Sequence, residues 1–126
     1  VPVDTTDVTR YFLEVSGRNI LFRYTLEYAD RHRDALNAVK TIPELQALLD
    51  ADKELMNDFI RYAARNGVQP DYRDIARSRK LIEAQLRAYI GRNTPLNEAG
   101  FYVNIYPIDP VMLRAVEVFK TQNDHD

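Results

Sequence analysis

Residues 70–92, PDYRDIARSRKLIEAQLRAYIGR, decide the fold. Pro70-Asp71 supplies a helix start, and Tyr72, Ile75, Ile82, Leu86, Tyr89 and Ile90 follow at spacings that keep them on one face. Arg73, Arg77, Lys80 and Arg87 occupy the opposite face. That spacing predicts a long amphipathic helix running to about Gly91.

Towards the N-terminus the same periodicity recurs. Leu55, Met56, Phe59, Ile60 and Ala63 make a stripe that Asp52 can start and that Asn66-Gly67, a left-handed stop, can end. Upstream of it, Thr41-Ile42-Pro43-Glu44 has the form of a capping box, opening a short helix that carries Leu45, Leu48 and Leu49. Asp7, or Thr6 before it, caps a long helix burying Val8, Tyr11, Phe12, Val15, Phe22, Leu26, Ala29 and Leu36. Ser16-Gly17 lies inside that helix, where glycine costs about 1 kcal/mol relative to alanine, so a kink or break is expected there.

Beyond Gly91 the helical period stops. Residues 93–109 read as a turn-rich loop, within which Phe101-Tyr102-Val103-Asn104-Ile105-Tyr106 alternates as a short extended segment does. An isolated strand needs an edge to pair with, and the only other strand-like run is Val1-Pro2-Val3. Asp109-Pro110 then starts a final helix with Met112, Leu113, Val116 and Phe119 inward. The expected fold is mainly α: an irregular bundle of about five helices, with extended segments near the N-terminus and around residues 101–106. Residues 1–6 read as an extended lead-in, 7–120 as the helical domain and 121–126 as a polar, frayed tail.

At 126 residues with 45% apolar and 29% charged side chains, the chain has the composition of one globular domain. It has no cysteine, which excludes disulfides, thiolate catalysis and Cys-ligated zinc for this chain. No apolar run approaches the roughly 20 residues that span a bilayer. The formal charge of -2 offers no bulk attraction to nucleic acid or anionic lipid.

Catalytic and metal-binding patterns are equally sparse. The two serines, Ser16 and Ser78, have no base beside them in sequence and read as structural or solvated. His32 and His125 form no metal-binding pair. The DADKE run places Asp50, Asp52 and Glu54 as in a calcium loop, but Leu55 stands where the turn glycine belongs and Arg61 where the last glutamate belongs. Those acids read instead as charges complementing a helix start. The basic face of residues 73–87 is offset by Asp74 and Glu83 at helical spacing, and no aromatic side chains interleave with it, which argues against nucleic-acid binding. Tyr102 and Tyr106 project together and read as aromatics wedged on the core, a ligand or peptide groove being the other reading. No catalytic, cofactor-binding or metal-ligating residue is therefore assigned, and no cofactor is expected.

Several stretches together resemble a known family. VPVDTT at residues 1–6 resembles the segment at which the protease core of bacterial carboxy-terminal processing (tail-specific) serine proteases ends. ELMNDFIRYAARNGV (54–68), SRKLIEAQLRAYIGR (78–92) and GFYVNIYPIDPVMLRAVEVF (100–119) look like the blocks that follow that core in one branch of the family. The resemblance implies a non-catalytic C-terminal domain of a periplasmic or cell-envelope peptidase. Residues 1–6 would then be a remnant of the core, and the Ser-Lys dyad and PDZ domain would lie upstream of this chain. Its implied partners are that core and PDZ domain and the protein substrates of the parent, with self-association of the separated chain as a further expectation. A free-standing helical protein-interaction domain is the other reading, and a nucleic-acid binder using the basic face the third.

Overall fold

A computed structural model describes residues 7–106. The extended lead-in expected at residues 1–6, the helix expected from Asp109, the tail and His125 lie outside the described residues. Within them the chain forms helices and no strand: α1 (Arg10–Gly17), α2 (Ile20–Arg31), α3 (Arg33–Asn37), α4 (Ile42–Ala51), α5 (Leu55–Arg65), α6 (Tyr72–Arg92) and α7 (Glu98–Ile105). The architecture is the irregular helical bundle that the periodicity predicts.

The single long helix expected near the N-terminus is three helices. The first break falls at Arg18-Asn19 rather than inside Ser16-Gly17: both of those are helical and buried, and Asn19 takes the left-handed conformation with φ 59°. Asparagine is among the few residues that adopt that geometry at low cost. The break resets the helical phase, so the inward stripe of α2 is Ile20, Leu21, Tyr24, Tyr28 and Ala29, while Phe22 (37% exposed) and Leu26 (41%) face out, contrary to expectation. A second stop at His32 separates α3.

The expected helix signals appear elsewhere with their hydrogen bonds. Thr41 Oγ1 accepts from the Glu44 N–H and Glu44 Oε1 accepts from the Thr41 N–H, closing the capping box of α4. Asp52 Oδ1 accepts from the Glu54 N–H at the start of α5. At the end of α5, Val68 N–H bonds to Ala63 C=O and Gly67 N–H to Ala64 C=O, a Schellman closure that requires the positive φ (97°) found at Gly67. Asp71 caps α6 by accepting from the Asp74 N–H.

Helix α6 is the axis of the bundle, packing on α1, α2 and α7, while α2 also packs on α5 and α4 on α7. Its buried face is Ile75, Leu81, Ile82, Leu86, Ala88 and Ile90; Tyr72, expected inward, is 68% exposed at the first turn. Ser78 is also on the buried face. Its hydroxyl bonds to Thr9 Oγ1 at 2.6 Å and donates to the Asp7 carbonyl, and Thr9 Oγ1 in turn accepts from the Phe12 N–H at 3.2 Å. The start of α1 is thus fastened to the middle of α6.

The extended segment expected at residues 101–106 is helix α7 instead. Gly91 and Gly100 explain the change: a Cβ on Gly91 would lie 2.4 Å from the Gly100 carbonyl oxygen, and one on Gly100 2.5 Å from the Gly91 carbonyl oxygen. The two helix backbones touch. A strand at this place would lack a partner edge, whereas a helix satisfies its own backbone and lays Gly100, Asn104 and Ile105 against α6. The expected pairing of Val1 to Val3 with this segment has no strand to join.

Candidate functional site

The groups screened for chemistry in the sequence take structural positions. Ser16 is fully buried in α1 and Ser78 is held in the bond chain with Thr9 and Asp7. His32 stacks on Tyr28 with ring centroids 4.2 Å apart. The acids of the DADKE run diverge: Asp50 pairs with Arg87 at 2.8 Å, and Asp52 Oδ2 accepts from the Tyr28 hydroxyl at 2.8 Å. Among the described residues no group of three histidines or carboxylates is placed to hold a metal ion.

Two arginines of α6 are paired on its outer side, one of them by another partner than the sequence spacing indicates. Arg79 pairs with Glu83 at 2.8 Å as expected. Arg87 reaches across to Asp50 in the last turn of α4, and Asp74 turns to the Tyr11 N–H at 3.3 Å. A cleft of about 320 Å³ along this side is lined by Lys53, Arg79 and Arg87 and by Asp50, Asp52 and Glu83, so its charges are matched within its own walls.

Two other surfaces are less self-contained. The first is an aromatic row across α2, α6 and α7. Phe22 packs edge-on against Tyr89 at 5.3 Å, Tyr89 lies 5.6 Å from Phe101, Phe101 meets Tyr102 edge-on at 5.3 Å, and Tyr102 stacks on Tyr106 at 5.4 Å. Arg92 places its guanidinium 4.0 Å from the centre of the Phe101 ring, a cation–π contact. Tyr102 (43% exposed) and Tyr106 (74%) do project together, but because a helix brings i and i+4 side by side, and they face solvent rather than the core.

The second is a cleft of about 250 Å³ between α2 and α5, lined by Tyr24, Glu27, Arg31, Asp58, Arg61, Tyr62 and Arg65. The helices run antiparallel here: Tyr28 meets Asp52, and further along Tyr24 meets Phe59 and Tyr62 at 5.5 and 5.4 Å. Arg61 pairs with Asp58. Tyr62 faces Glu27, and burial followed by the nearby carboxylate raises its pKa. Tyr24 is 2% exposed, and its hydroxyl has no hydrogen-bond partner. Burial, helped by the Asp58 charge, pushes its pKa up to about 12. The Arg31 guanidinium opposes that shift but does not meet the phenol in hydrogen-bond geometry.

Neither surface is read from the sequence as a unit. A signal for the cleft does exist, since Tyr24, Glu27 and Arg31 share one face of α2 and Asp58, Arg61, Tyr62 and Arg65 one face of α5. Nothing in the spacing says that the two faces meet.

Fold and surfaces together define a small helical domain whose outward features are an aromatic row and an arginine-lined cleft. Residues 11–94 match a family of unknown function, DUF8443, and the chain belongs to that family. No curated protein and no solved structure matches the chain.

Proposed function

We propose that this chain is a non-catalytic helical accessory domain that works by packing on another protein surface, with the aromatic row as its contact face. The observation that carries the reading is the continuity of that row: Phe22, Tyr89, Phe101, Tyr102 and Tyr106 touch in sequence across three helices, with Leu26 exposed one turn from Phe22. Tyr89 and Phe101 are half-buried and hold the row on the core, while Phe22, Tyr102 and Tyr106 expose its two ends, and Tyr and Phe contribute much of the energy of protein contacts.

The occupant we assign is the catalytic core of a carboxy-terminal processing serine protease in the same polypeptide. What supports it is the resemblance of residues 1–6, 54–68, 78–92 and 100–119 to the segments that close and follow such a core. On this reading the Ser-Lys dyad and PDZ domain precede Val1, the parent hydrolase works in the periplasm or cell envelope, and this domain braces the core or shapes access to it.

The test is to produce the polypeptide encoded upstream of Val1 as a separate chain and titrate it with this one by calorimetry. Saturable binding is expected, weakened about tenfold or more by Phe22→Ala with Tyr106→Ala, whose exposed rings leave the fold intact. An upstream sequence without a protease-sized stretch, or one that does not bind, overturns the reading.

A second reading is a free-standing helical interaction domain unconnected with proteolysis. The family match, residues 11–94, runs from α1 to just past the end of α6 and does not reach the segments at residues 1–6 and 100–119. A start codon close to Val1 would support it over the first.

A further inference from the structure

Within the cleft between α2 and α5, three arginines face two carboxylates, leaving one positive charge in surplus. Asp58 is paired with Arg61, and Glu27 faces Tyr62. Among the described residues neither Arg31 nor Arg65 forms an ion pair. As last-turn residues of two antiparallel helices they complement the helix dipoles and line the cleft from its two ends, and the dipoles account for their sign but not for their sharing one cleft. Beneath them lies the Tyr24 hydroxyl, buried and without a partner. A buried hydroxyl left unbonded costs free energy, which a ligand oxygen would recover.

We propose that this cleft binds a small oxyanion, a phosphate or carboxylate group, through the Arg31 and Arg65 guanidiniums and the Tyr24 hydroxyl. Guanidinium forks suit such groups because they give paired, charge-assisted hydrogen bonds. The phenol donates its proton to a ligand oxygen and stays neutral throughout the physiological range. The site is separate from the aromatic row and does not depend on the partner proposed for that row.

The experiment is a titration of the 126-residue chain with inorganic phosphate and, separately, with sodium acetate, at ionic strength matched with sodium chloride. Amide and arginine side-chain resonances are followed by NMR. Saturating shifts confined to residues 24–31 and 58–65 are expected with at least one anion. Saturation by phosphate alone assigns the site to phosphate groups, and by acetate alone to carboxylates. Arg31→Gln with Arg65→Gln should raise the dissociation constant about tenfold or more, and Tyr24→Phe about threefold. Arg79→Gln, in the other cleft, should leave it unchanged. Tyr24→Phe removes only an unpaired oxygen, so a folded variant is available for the comparison. The proposal is overturned by shifts that grow without saturating with both anions, or by undiminished affinity in the double arginine variant or in Tyr24→Phe.

Discussion

Ser78 and Tyr24 both bury a hydroxyl, and their surroundings give the two opposite weights. Ser78 links Thr9 and the Asp7 carbonyl, so Ser78→Ala strands a donor and an acceptor at the start of α1. That should lower stability by about 2 kcal/mol in urea unfolding, against a change within about 0.5 kcal/mol for Tyr24→Phe, whose hydroxyl has no partner to lose. An equal loss in both would mean the bond chain at Ser78 holds nothing. The sequence shows Ser78 as a serine between Arg77 and Arg79 without a base, enough to assign it a structural or solvated role. It cannot choose between those two, because Thr9 and Asp7 come from about seventy positions away. Phe22 and Leu26 face out for a similarly local reason: the left-handed turn at Asn19 shifts the helical phase of everything after it.

Helices declare their starts more reliably than their neighbours. The capping box at Thr41 and the Schellman turn at Gly67 were both legible, because each depends on residues within a few positions of one another. Thr41→Ala should cost about 1 kcal/mol, measured as a shift in the urea midpoint without loss of the remaining helices. The contact between α6 and α7 is of another kind. Alanine at Gly91 or Gly100 would put a methyl into the facing backbone carbonyl, and no side-chain rotation relieves it. Gly91→Ala is expected to destabilise by about 2 kcal/mol or more and to separate α7 from α6, seen as loss of the Phe101–Tyr89 contact in NMR spectra. A variant as stable as the parent would show that the helices do not approach so closely. Residues 101–106 read as extended because Phe101, Val103 and Ile105 fall at every second position, a pattern that yields to packing when a glycine pair lets two helices touch.

Across the whole molecule the buried tyrosines set a limit in pH. Tyr11 and Tyr24 are raised from 10.0 to about 12 chiefly by burial, and Tyr28 is raised by burial together with its bond to Asp52. Each phenol keeps its proton longer in the folded chain than in the unfolded one. Its contribution to stability is therefore complete below about pH 10 and is lost as pH rises towards 12. Helix loss by circular dichroism and tyrosinate absorbance should rise together in that window; tyrosinate formation well below pH 10 without unfolding would contradict it. At this scale the sequence by itself determined the helical class, the starts of α4, α5 and α6, the stops of α5 and α6, and which charges and aromatics the chain has to place. These follow from periodicity and capping, whose physics spans no more than a turn or two. Only the tertiary structure decided that residues 98–105 form a helix, that Phe22 joins Tyr102 and Tyr106 in one row, and that Arg31 and Arg65 share a cleft. The first depends on how closely α6 and α7 approach at Gly91 and Gly100, and the others on which helices, far apart in sequence, are laid side by side after the turn at Asn19.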